Sequence, residues 1–72
     1  MRSLAALAAE VVHAASEREP NGSVERALLN ASFWFAMAAT GDAVRDDLRR
    51  GVDCLTEAAR IERAKRGEGV AL

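Results

Sequence analysis

Seventy-two residues with a net charge of −1 and a pI near 5.7 make one domain, close to the lower size at which a single core holds a fold. That charge balance excludes a global basic field of the kind that gathers nucleic acid or anionic membrane. Half of the residues are apolar, but 16 of those 36 are alanine, and at about 25 cal/mol per Å² an alanine methyl gains little by leaving water.

A thin core in a chain this short calls for a disulfide, a metal or a partner. Cys54 is the only cysteine, so no internal disulfide and no thiol-based zinc cluster are expected. Close helix packing, oligomerisation or both remain. The opening Met1-Arg2-Ser3-Leu4-Ala5-Ala6-Leu7-Ala8-Ala9 imitates a secretory leader, but Glu10 cuts its apolar run short. No stretch approaches the roughly eighteen apolar residues of a membrane span. A cytoplasmic protein is expected.

The first helix is predicted over 4–18. Leu4, Leu7, Val11 and Ala14 recur at helical spacing and read as its core face, with Ala8 and Ala15 widening the stripe; Glu10, His13 and Glu17 read as its polar side. Ser3 suits the N-cap, and Pro20-Asn21-Gly22 marks the turn that follows.

The second helix is predicted over 24–39, opened by Ser23 and ended by Thr40-Gly41, where Gly41 can take a left-handed conformation. Val24, Leu28, Ala31, Phe35 and Ala38 make one stripe, and Leu29, Phe33, Ala36 and Met37 a second. Trp34 lies near the edge of the first. From Phe33 to Ala39 no side of the helix is polar, the mark of a buried helix. Two short neighbours can hardly cover that surface, so a second copy of the chain is expected, with Leu29, Phe33, Trp34, Phe35 and Met37 at the contact between copies.

The third helix is predicted over 43–66 with Asp42 as N-cap, and a loose tail over 67–72. Its inner face is read as Val44, Leu48, Gly51, Val52, Leu55, Ala58 and Ala59, and its outer face as Asp46, Arg49, Arg50, Asp53, Glu57 and Arg60. A glycine inside a helix costs about 1 kcal/mol relative to alanine. Gly51 on a core face therefore predicts a close approach, by the ring of Phe35 or Trp34. The fold class expected is all-α: a three-helix unit over 1–66, two short helices and a longer third, assembling into a helical homo-oligomer.

No constellation points to catalysis. Glu10-Val11-Val12-His13 has the Glu-x-x-His spacing of di-iron bundles, but its residues fall on a polar helix face and no other helix supplies converging carboxylates. A Cys54–His13 pair would need an accident of packing. No phosphate loop, metal-ligand cluster or nucleophile triad is present, so a non-enzymatic protein without metal or cofactor is expected. Helix 2, turn and helix 3 could imitate a DNA-reading motif. Its reading helix would open Asp42-Ala43-Val44-Arg45-Asp46-Asp47, setting acids against phosphates, and DNA is not an expected partner. Arg60, Arg63, Lys65 and Arg66 form the one local basic cluster. They complement the carbonyl end of a helix; in an oligomer they could also meet an acidic partner or a phosphorylated ligand, with Asn30 and Ser32 adding hydrogen bonds.

The stretch Arg26-Ala27-Leu28-Leu29-Asn30-Ala31-Ser32-Phe33-Trp34-Phe35-Ala36-Met37-Ala38-Ala39 resembles the alanine-rich, Trp-containing helix of small phage anti-CBASS sponge proteins. That resemblance implies an all-helical oligomer that sequesters a cyclic nucleotide between subunits. Two functions are therefore carried forward. The first is a protein-interaction module, acting as inhibitor, adaptor or assembly factor; the alternative is an anti-defence protein that sequesters a cyclic nucleotide or another phosphorylated small molecule.

Overall fold

Serine opens the first two helices. The Ser3 hydroxyl accepts from the Ala6 amide at 3.1 Å, and the Ser23 hydroxyl accepts from the Arg26 amide at 3.1 Å while donating to the Pro20 carbonyl at 2.9 Å. The bonds to Ala6 and Arg26 each satisfy a first-turn amide that has no partner inside the helix. Residues 3–67 of the computed structural model are described below, and they fold into α1 (Leu4–Glu17), α2 (Val24–Thr40) and α3 (Val44–Arg66). Apart from Gly67, which caps α3 in a left-handed conformation, the tail expected over 67–72 lies outside the described residues. The turn between α1 and α2 is tied by Arg26, whose Nη1 donates to the Glu19 carbonyl at 3.1 Å.

The third helix starts differently from the sequence expectation. Ala43, not Asp42, occupies the N-cap position (φ −113°, ψ 51°), and no side chain caps it. Asp46 and Asp47 in the first turn supply negative charge where the helix dipole favours it, which lessens the need for a capping side chain. Gly41 ends α2 at φ 152°, ψ −86°. This is a positive-φ conformation that suits glycine, though not the left-handed helical one expected.

The three helices lie side by side rather than around a common axis. The connections are short, α2 packs against both neighbours, and α1 and α3 make no contact with each other. The body is accordingly flat, 52 × 26 × 14 Å. As the middle helix, α2 needs apolar residues on more than one side, which accounts for its all-round alanine and aromatic character.

Small residues make these contacts. The buried apolar residues are Ala9, Ala27, Ala31, Ala38 and Ala58, joined by Gly51, Ser16 and Asp47. Where the buried face of α1 was predicted along Leu4, Leu7, Val11 and Ala14, the helix turns Ala9 and Ser16 inward and leaves all four exposed. Likewise α3 buries Asp47, Gly51 and Ala58, leaving Val44, Leu48, Val52, Leu55 and Ala59 exposed. The expected inner face of α3 is thus corrected at five of its seven positions. Small side chains let helix axes approach and place more atoms in contact, whereas the longer stripes would hold the helices apart.

Gly51 is where the approach is closest. A Cβ added there would fall 2.7 Å from both Cδ1 and Cζ of Phe35, and nearer still to Cε1. Of the two rings expected to fill that space, Phe35 does so. Ser16 is buried without penalty, because its hydroxyl donates to the His13 carbonyl at 2.7 Å.

Candidate interaction surfaces

One face of the layer carries a row of side chains drawn from all three helices. On α1, His13 Nε2 lies 3.7 Å from Glu17 Oε1, and its ring centroid is 5.4 Å from that of Phe33. On α2, Phe33 meets Trp34 edge-on at 5.1 Å. The guanidinium of Arg50 on α3 stands 4.8 Å over the Trp34 ring, and its Nη1 is 3.5 Å from Asp47 Oδ1. The row is held by edge-to-face and cation–π geometry. Its aromatic members are half-buried within one chain, as are Leu29, Phe35 and Met37, so the five residues expected at a contact between copies are already partly engaged by their own chain.

The large exposed side chains lie elsewhere. On α1, Leu4, Leu7 and Val11 are 85%, 44% and 68% exposed, on α3 the stripe Val44, Leu48, Val52 and Leu55 is 42–54% exposed, and on α2 Leu28, expected in the first stripe, is 45% exposed. Both stripes are regular and apolar. The sequence showed their periodicity but not their direction. The available signal was a parallel stripe of small residues, Ala9 and Ser16 on α1, Gly51 and Ala58 on α3, each spaced by seven.

The surface as a whole is large for the chain. A compact protein of 7.7 kDa shows about 4,300 Å² by the usual mass scaling. This chain shows 5,318 Å², an excess of about 1,000 Å² over that scaling. A standard interface buries about 800 Å² on each partner.

The basic cluster is divided. Arg60 makes a two-pronged contact with Glu57, and Arg66 Nε donates to Glu62 Oε2 at 3.2 Å. The bonded Arg60 guanidinium holds the Glu57 carboxyl below the ordinary carboxylate range, and the Glu57 carboxylate in turn raises the pKa of the guanidinium. Arg63 and Lys65 have no hydrogen bond or ion pair among the described residues, and the same holds for Arg45 and Arg49. Asn30 and Ser32, two residues apart on α2, point to different sides of the helix, and the Ser32 hydroxyl donates to the Leu28 carbonyl at 3.2 Å.

Cys54 and His13 sit on α3 and α1, the two helices that do not touch. Burial pushes the Cys54 thiol up, and the neighbouring Asp53 carboxylate pushes it the same way, which keeps it in its less nucleophilic form. Among the described residues no group of three or more His, Cys, Asp or Glu side chains could hold a metal ion, and no helix is long and apolar enough to cross a membrane. No known family, characterised protein or solved structure matches this chain.

Proposed function

We propose that the protein is a small non-enzymatic interaction module that works by association, with a second copy of itself as its first partner. One observation carries this reading: the leucine–valine stripes of α1 and α3 are exposed, while the buried positions are mostly alanine, with Gly51, Ser16 and Asp47. An alanine interior contributes little per residue, and the largest part of the available hydrophobic gain is left for a contact between chains. Such a module acts as inhibitor, adaptor or assembly factor, blocking or bridging a protein surface through whichever apolar face the assembly leaves open.

The test is mass in solution. Light scattering coupled to size exclusion is expected to return a multiple of 7.7 kDa at micromolar concentration. A mass of one chain at every concentration overturns the reading.

Sequestration of a phosphorylated small molecule is the second reading. It is favoured by Arg63 and Lys65, which are without a partner among the described residues and would be repeated in every copy. Thermal unfolding against cyclic dinucleotides tests it: a sequestering site gains about 2.7 kcal/mol at a hundredfold excess over the dissociation constant, and no shift with any of them removes it.

A further inference from the structure

Exposed stripes on two helices that never meet within a chain suggest that they meet between chains, and their borders say how. Successive residues turn by about 100° around a helix, so the wheel positions can be compared directly. On α1, Glu10 and Glu17 border the Leu4–Leu7–Val11 stripe on one side. On α3, Arg45, Arg49 and Arg63 border the Val44–Leu48–Val52–Leu55 stripe on its solvent side. These three arginines have no partner among the described residues, whereas Arg50, Arg60 and Arg66 are held by acids of their own helix.

We propose that copies of this chain join by laying the α1 stripe of one along the α3 stripe of another, with Glu10 and Glu17 facing Arg45, Arg49 and Arg63 across the seam. The proposal rests on the reading that the protein works by association, and adds the surface and its polarity. A pairing of α3 with α3 running antiparallel would oppose arginine to arginine, and α1 with α1 would oppose acid to acid, so like-charge repulsion disfavours both. The direction also follows. Viewed from the N-terminus, the acids lie anticlockwise of the α1 stripe and the arginines clockwise of the α3 stripe. Facing stripes bring those two flanks together only when the helices run parallel, as in the flanking charges of a parallel coiled coil.

The experiment uses the full chain carrying Cys54→Ser, with single cysteines added in two separate preparations, Val11→Cys and Val52→Cys. Both positions are more than half exposed, so the fold of the single chain tolerates the change; circular dichroism checks it. The two preparations are mixed, equilibrated and mildly oxidised. The expected result is a disulfide joining Val11→Cys to Val52→Cys in preference to either homotypic product. A second measurement does not depend on cysteine. Arg45→Glu with Arg49→Glu is expected to weaken association by about tenfold or more, and adding Glu10→Arg with Glu17→Arg to restore it to within about threefold. Homotypic cross-links in an otherwise assembled protein, or a charge swap that fails to restore assembly, overturn the α1-on-α3 pairing while leaving association intact. A wild-type chain that stays monomeric overturns both.

Discussion

The ring of Phe35 occupies the space in which residue 51 would carry its Cβ, with Cδ1 and Cζ 2.7 Å from that position. This contact fixes how closely α2 and α3 approach. Gly51→Ala gains about 1 kcal/mol of helix propensity but must displace a packed ring, at a cost of about 1–3 kcal/mol. The expected net effect is a lowered melting temperature. In a Phe35→Leu background the same substitution is expected to stabilise, because the ring is gone and the propensity gain remains. A sign that does not reverse between the two backgrounds would show that the ring is not what requires glycine.

Trp34 is the only tryptophan and Arg50 lies over its face, so emission from one residue reports the α2–α3 contact. Arg50→Ala is expected to lower stability by about 0.5–1 kcal/mol and to change the tryptophan emission. Arg50→Lys keeps the charge but not the planar stacking, and should fall between. Unchanged emission in Arg50→Ala would remove the stacking from solution.

The Ser23 hydroxyl both accepts from the Arg26 amide and donates to the Pro20 carbonyl. Ser23→Ala is expected to cost about 1 kcal/mol in chemical denaturation. Ser3→Ala, which removes a single bond at an exposed first turn, should cost less.

Acid should weaken the end of α3. The folded-state pKa of Glu57 is lowered, chiefly by its hydrogen bond to Arg60, so its contribution is present above the ordinary carboxylate pKa and is lost as pH falls through the lowered one. The pair is exposed, and its effect on global stability is small. NMR titration of the Glu57 side chain is therefore the direct check: Arg60→Gln should move its midpoint up to the ordinary value, and an unmoved midpoint would rule out the bond as the cause.

The α3 stripe offers a final prediction for association itself. Val52→Glu should leave helix content in place, since the side chain is exposed within a single chain, while reducing the mass seen by light scattering. Loss of helix content together with mass would mean that the chain folds only as it assembles.

The three helices were legible because their signals are local. Ser3 and Ser23 announce two starts, Pro20-Asn21-Gly22 and Thr40-Gly41 announce the breaks, and Gly51 in a core-like position announces a close approach by Phe35 or Trp34, of which the structure shows Phe35. The candidate surfaces were legible only in part. The periodic stripes of α1 and α3 are plain in the sequence, but spacing does not say which way a stripe faces, and a leucine–valine stripe ordinarily faces a core. Asp42 was likewise a good cap by type, but Ala43 holds the position.

What the sequence by itself determined is which residues share a helix face and, to within about a residue, where each helix begins and ends. Those depend on spacing and on backbone preferences within a few residues. Only the tertiary structure decided which of two neighbouring stripes turns inward, that α1 and α3 stay apart on either side of α2, and that Arg50 rather than an apolar residue covers Trp34. Each of these depends on how near two helix axes can come. That distance is set jointly by side chains remote in sequence, here Phe35 against Gly51 with alanines around them, and no single stretch of the chain encodes it.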